Sequence, residues 1–235
     1  MQLFYNPSLN EKSTEIKFDK TESKHIVKVL RKKEGDILYI TNGKGLLFIG
    51  TIILANDNNC IVKIDDIQHK LKTWNYYLHV VIAPTKNMDR LEWFVEKATE
   101  IGIDEITPIL CARSERKVLK NDRLEKIIES AMKQSLKFQL PKLNELQSLK
   151  TFINSNPKGQ LFIAHCDETD RKSFKNELQK NEHLTILIGP EGDFTNEEIA
   201  FAIKNQFIPV TLGKSRLRTE TAALAATLSV AFFNE

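Results

Sequence analysis

The chain has 235 residues, 41% hydrophobic and 28% charged, proportions that exclude a disordered, collagen-like or disulfide-scaffold protein. That length accommodates a small domain beside one of about 150 residues, each able to bury a core. The net charge of +3 is too mild to name a partner. Cys60, Cys111 and Cys166 are widely separated, with no C-x-x-C pair, which argues against a metal site or a disulfide framework.

The N-terminal "MQLFYNPSLNEK" lacks a basic segment followed by an apolar run, so export is not expected and the cytoplasm is the expected location. "ESKHIVKVLR" places Ile26, Val29 and Leu30 at i, i+3, i+4 spacing and predicts an amphipathic helix with a basic face. "DILYITN", "LLFIGTIIL" and "CIVKIDDIQ" read as strands parted by the turns "NGKG" and "NDNN", together a small antiparallel β unit.

Near "KLKTWN" strand after strand gives way to strand alternating with helix, and the domain boundary is placed there: residues 1–70 and 71–235. "YYLHVVIAP" predicts a buried strand. "MDRLEWFVEKATEIG" predicts a helix with Leu91, Phe94, Val95, Ala98 and Ile101 on one stripe and Gly102 as its stop. The unit recurs as "EITPIL" with a helix over 122–136, "QLFIAH" with 173–179, "LTILIG" with 195–205, and "FIPVTLG" with the final helix. Such alternation predicts an α/β domain with a mainly parallel sheet. The longest apolar stretch, residues 222–233, is interrupted by Thr227 and Ser229 and falls short of the roughly 18 residues a membrane helix needs. Charge is uneven: residues 113–142 hold nine Lys/Arg against four Asp/Glu, whereas 185–235 hold four against six, so the positive charge sits mid-chain.

Two predicted strands end in glycine-bearing loops that run directly into helices. "LIGPEGDFTNEEI" carries Gly189, Pro190, Glu191 and Gly192, then a capping box of Thr195 with Glu198. "VTLGKSRLRTETAAL" repeats the arrangement at the next strand. In open α/β sheets ligands bind outside the carboxyl ends of strands, where glycine lets backbone approach them, so the two loops predict one pocket. It is not a P-loop: "GKS" at Gly213, Lys214 and Ser215 requires a glycine five residues earlier, where Ile208 stands. A G-x-G-x-x-G fingerprint is also missing, which disfavours a dinucleotide site.

"LIGPEGDFT", followed about 20 residues later by "LGKSRLRTETAALAA", closely resembles the paired signatures of the ribosomal RNA small subunit methyltransferase E family, in the SPOUT superfamily. The resemblance extends along the chain. "HIVKVLR" with "EGDIL" looks like the family's PUA-like β-barrel domain, and "EWFVEKATEIGIDEITPI" with "AMKQSLKFQLP" looks like the first segments of its catalytic domain. Asp193 stands where the family commonly has the last glycine of G-P-E-G-G, Leu3 precedes "FY" where a basic residue is expected, and Lys137 replaces a usual arginine.

Membership implies S-adenosylmethionine (SAM) as methyl donor, a uridine N3 in 16S rRNA of the small ribosomal subunit as acceptor, a deep trefoil knot near the C-terminus and a homodimer; the cysteine spacing and the short apolar run separately lead to the expectation of no metal and no membrane. On this resemblance Ile188, Gly189, Pro190, Glu191 and Gly192, with Leu212, Gly213, Ser215, Leu217, Arg218, Thr219 and Ala222, are the expected donor-binding residues. Ala222, Ala223, Ala225 and Ala226 then either let the final helix approach these loops or are simply good helix formers.

Methylation at a uracil N3 removes a proton from a weakly acidic imide. Arg218 is the expected stabiliser of the developing negative charge. Glu220 is either the proton acceptor or the group that orients Arg218. Glu191 either holds loop amides and caps the next helix or contacts substrate. His165, ending "LFIAH", is placed to face the same pocket, but a lone histidine is more often structural and is read so here. Lys24, Lys28, Arg31, Lys32 and Lys33, with Arg113, Arg116 and Lys117 of "ARSERK", are the expected RNA-phosphate contacts. Two readings stand beside the enzyme: a non-catalytic RNA-binding or ribosome-assembly protein, and a SPOUT enzyme acting on a ribose 2′-hydroxyl or another base.

Overall fold

The computed structural model describes residues 1–167 and 170–235, in two compact units: Met1–Thr73 with Met132–Leu140, and Trp74–Ala131 with Pro141–Glu235.

The first unit contains β1 (Leu3–Tyr5), β2 (Glu15–Lys17), α1 (Lys20–Lys24), β3 (Ile37–Thr41), β4 (Leu46–Leu54) and β5 (Ile61–His69), in a sheet ordered β1-β3-β4-β5-β2. The three long strands are the ones the sequence predicts. β1 and β2 are three-residue edge strands, too short to show a period, and β1 pairs with β3 in parallel. Phe4, Ile16, Ile26, Leu38, Ile40, Phe48 and Val62 fill the core. Gly50 is required in β4, since a Cβ there would lie 2.5 Å from the carbonyl oxygen of Lys63.

Two expectations change in this unit. The predicted amphipathic helix is α1 followed by a π turn over His25–Val29, in which Leu30 N donates to His25 O at 2.9 Å. The extra residue shifts the helical phase, so Ile26 stays buried while Val29 is 66% exposed. Residues 132–140, placed by the sequence beyond the boundary, pack with this unit. Gly45 N donates to Phe138 O, Leu140 N to Gly43 O and Gln139 Nε2 to Lys70 O, each at 2.8 Å, so the "NGKG" turn finds its backbone partners about 95 residues downstream.

The second unit runs β6 (Tyr77–Ile82), α2 (Met88–Ile101), β7 (Glu105–Leu110), α3 (Asn121–Gln134, whose residues from Met132 on belong to the first unit), β8 (Lys142–Leu143), β9 (Gln147–Ser148), α4 (Leu149–Asn154), β10 (Gln160–Ala164), β11 (Lys172–Ser173), α5 (Phe174–Glu177), β12 (His183–Ile188), α6 (Asn196–Lys204), β13 (Ile208–Thr211) and α7 (Thr219–Asn234). Its strands are ordered β11-β13-β10-β12-β6-β7-β8, with β9 also on β7, and the recorded pairings are all parallel. Val81, Ile109, Phe152, Ile163, Leu187, Phe194 and Phe207 form a core cluster against the sheet. Leu91, Phe94, Val95 and Ala98 of α2 are buried as the stripe predicts, and Gly102 ends the helix at φ 134°. The helix expected over 173–179 contracts to the four residues of α5.

One feature of the order positions the site. β13 does not neighbour its predecessor β12; β10 lies between them, with Ala164 opposite both Ile188 and Val210. The two glycine loops therefore leave the sheet on either side of the end of β10.

Candidate functional site

The carboxyl ends of β10, β12 and β13 open into a cavity of about 650 Å³, a size that suits a small-molecule ligand. Ile188, Gly189, Pro190 and Glu191 line it from the loop after β12. Leu212, Gly213, Ser215, Leu217 and Arg218 line it from the loop after β13, and Thr219 and Ala222 from the start of α7. Of the expected donor-binding residues only Gly192 lies outside this lining, and Glu220 lies outside it too. His165 and Cys166 after β10, Arg171 just before β11, and Asp193 of the β12 loop complete the lining. The sequence allows His165 this place, whereas Cys166, Arg171 and Asp193 as lining residues follow only from strand order, which periodicity does not give.

The β12 loop is braced from several sides. A Cβ on Gly189 would stand 3.1 Å from the Phe194 ring, so any larger residue requires the ring to give by a few tenths of an ångström. Asp193 adopts φ 63°, the left-handed conformation that explains why glycine is common at this place in the family it resembles. Its carboxylate accepts from Cys166 N at 2.7 Å and from Phe194 N at 2.9 Å. Glu191 accepts from Lys86 N at 3.0 Å, so it holds another loop and does not cap α6. The capping box of Thr195 and Glu198 does that, as the sequence indicates. Thr219 Oγ1 donates to Gly189 O at 3.1 Å and ties the loop to α7.

The residues of "ARSERK" take part in the same bracing. Arg113 Nη1 donates to Gly192 O at 2.8 Å and to Phe194 O at 3.3 Å. Arg116 donates through Nε to Thr85 O at 3.2 Å and through Nη2 to Lys86 O at 2.7 Å. Lys117 is exposed. In the first unit Lys24, Lys28, Arg31 and Lys33 are exposed and Lys32 is half-buried, with Lys28 3.5 Å from Asp57.

Arg218 and Glu220 are not paired with each other. Arg218 is exposed and makes no ion pair among the described residues. Glu220 is 7% exposed, its Oε1 lies 3.8 Å from Arg90 Nε of α2, and its Oε2 is buried without a hydrogen-bond partner among the described residues. His165 is 5% exposed, with both ring nitrogens unpartnered among the described residues. Burial pushes its imidazole below the ordinary range, against the opposing pull of Asp193 and with a further push from Arg171. In α7, Ala223 and Ala226 are fully buried, while Ala222 faces the cavity.

Among the described residues there is no group of three or more His, Cys, Asp or Glu placed to hold a metal ion, and no helix long and apolar enough to cross a membrane. The cavity fits SAM in size and in chemistry: two close-packed backbone loops, an exposed cation and an unpartnered imidazole surround it.

The chain matches the family model of the RNA methyltransferase domain over residues 51–231 and that of the RNA methyltransferase PUA domain over 18–65. It is 32% identical over 215 residues to the ribosomal RNA small subunit methyltransferase E of Buchnera aphidicola subsp. Acyrthosiphon pisum, covering 87% of this chain and 83% of the relative. Among solved structures, a probable rRNA-methyltransferase from Porphyromonas gingivalis superposes with a TM-score of 0.92 at 39% identity, covering 100% of this chain and 98% of the other. A Legionella pneumophila methyltransferase in complex with bound cofactor SAM superposes with a TM-score of 0.86 at 26% identity, covering 97% and 96%. With most of its length matched in sequence and in backbone, this chain belongs to the ribosomal RNA small subunit methyltransferase E family of RNA methyltransferases.

Proposed function

We propose that the protein transfers a methyl group from SAM to N3 of a uridine in 16S rRNA of the small ribosomal subunit, acting in the cytoplasm as a homodimer. The observation that carries this reading is the single cavity at the ends of β10, β12 and β13, where all but one of the expected donor-binding residues meet in a chain of this family. Bound there, SAM supplies an electrophilic methyl group.

The protein's own part is to position and to manage charge. Backbone of the two loops cradles the donor, and Thr219 fixes their separation by its bond to Gly189. Arg218, exposed at the cavity, offsets the negative charge that spreads onto the uracil carbonyls as N3 loses its proton. Glu220 receives that proton, a role supported by its unpartnered Oε2. The N-terminal PUA unit and its exposed lysines and Arg31 hold RNA phosphates. Arg113 and Arg116 act chiefly as loop braces, since their guanidinium groups already donate to carbonyls. The trefoil knot is part of the same reading, supported by the family and by two cavity loops that flank β10.

The test uses purified protein, methyl-labelled SAM and small ribosomal subunits from a strain lacking this activity, digested to nucleosides. Label in 3-methyluridine is the expected result. Label in a ribose-methylated or other nucleoside moves the chemistry, and absence of both label and SAM binding favours an RNA-binding protein without catalysis.

A further inference from the structure

His165 is the residue of the cavity whose chemistry the bracing network leaves unexplained. It follows Ala164 at the end of β10, and the parallel register sets it level with Gly189 on one side and Thr211 on the other. It therefore stands between the starts of the two loops assigned to the donor. Its main chain is anchored, because Arg171 Nη1 donates to His165 O at 2.6 Å. Its side chain is not: both ring nitrogens are buried and neither has a hydrogen-bond partner among the described residues.

Buried polar side chains nearly always find partners, and leaving one unpaired destabilises the fold. The other buried histidine of this unit obeys the rule, since His79 Nε2 lies 2.7 Å from Thr107 Oγ1. Burial favours the uncharged imidazole of His165, which presents one N–H donor and one bare acceptor nitrogen. A carboxylate can use only the donor, an ammonium group only the acceptor, and a sulfonium centre hydrogen-bonds to neither. A nucleoside uses both, through its ring nitrogens, amino group and ribose hydroxyls. A neutral ring beside a cationic donor also avoids the repulsion that a charged one would bring.

We infer that His165 is a ligand-contacting residue of this cavity, whose imidazole hydrogen-bonds the nucleoside portion of the methyl donor. The inference rests on the proposed use of SAM and adds to it a specificity-determining side chain in a site otherwise built largely from backbone.

Calorimetric titration of the full-length protein with SAM and with 5′-methylthioadenosine, which keeps the nucleoside and lacks the amino acid, separates the possibilities. His165→Phe keeps the ring volume without its hydrogen bonds. It is expected to weaken both ligands by about tenfold or more, the loss of one or two hydrogen bonds, with the melting temperature of the free protein unchanged or raised. His165→Gln, which retains a donor and an acceptor, is expected to recover most of the affinity. Equal binding by wild type and His165→Phe overturns the inference, as does weakening of SAM without weakening of methylthioadenosine. A lower melting temperature in both variants with affinity intact assigns the residue to the fold and overturns it too. Failure of the wild-type protein to bind SAM is a different result, which removes the proposed function itself.

Discussion

Thr219 Oγ1 donates to the carbonyl oxygen of Gly189 at 3.1 Å, joining the first residue of α7 to the first residue beyond β12. The bond is buried and spans 30 residues of sequence, so it sets how closely the two cavity loops approach. Thr219→Val keeps shape and removes the donor, leaving the carbonyl unpaired. It should lower stability by about 1 kcal/mol and weaken SAM binding, whereas Thr219→Ser should behave like wild type. Thermal unfolding and calorimetry check this, and a valine variant with wild-type affinity would show that the loops hold their spacing without the bond.

Arg218 is exposed and carries no ion pair among the described residues, so little folding energy depends on it. Arg218→Ala should cut turnover by about a hundredfold or more, the scale of losing one charge-stabilising group, with the melting temperature unchanged. Single-turnover rates with saturating SAM measure the effect. Near-normal rates would remove Arg218 from the chemistry.

Asp193 combines a left-handed backbone with two amide contacts, and substitutions separate these functions. Asp193→Ala loses the contacts and bears the conformational penalty of roughly 1–2 kcal/mol for a residue with a Cβ. Asp193→Gly loses only the contacts. The glycine variant should therefore melt higher than the alanine variant, with both below wild type. Equal melting temperatures for the two would show that the backbone strain is not felt.

At the opposite ends of the strands, His79 and Glu105 form a polar cluster with Tyr77, Thr107 and Asn144, and the exposed Lys142 reaches Glu105 from outside. Burial pulls the His79 imidazole down to about 4, against the attraction of Glu105. Burial pushes Glu105 up, but hydrogen bonds from Asn144, Tyr77 and Lys142 and the charge of His79 hold it down at about 2. Both groups bind protons less readily folded than unfolded, so both contribute stability that is lost on acidification. His79 acts as pH falls from its ordinary 6.5 towards about 4, and Glu105 from its ordinary 4.5 towards about 2. Denaturant midpoints should decline between pH 6.5 and 4 more steeply in wild type than in His79→Gln. Parallel pH profiles for the two proteins would sink this assignment.

Much of this molecule is legible locally. The stripe of α2 and its Gly102 stop, the capping box of α6, and the strands β3, β4, β5 and β6 follow from side-chain period and turn chemistry, because each is settled by residues within a turn or two of one another. The edge strands β1 and β2 are not legible, since three residues carry no period and their partners lie far along the chain. The π turn at His25–Val29 escapes for a related reason: one extra residue per turn leaves composition unchanged while rotating Val29 outward.

The sequence by itself determined the chemistry available: two glycine loops entering helices, an arginine and a glutamate at the second, and a match to one family over most of the length. Tertiary structure decided where those residues stand and what they touch. It set β10 between β12 and β13 and brought His165 to the cavity; it turned Arg113 and Arg116 into braces and Glu220 towards Arg90, away from Arg218. Hydrogen-bond partners and burial depend on which distant segments pack together, and strand order, invisible to any local window, is what selects them.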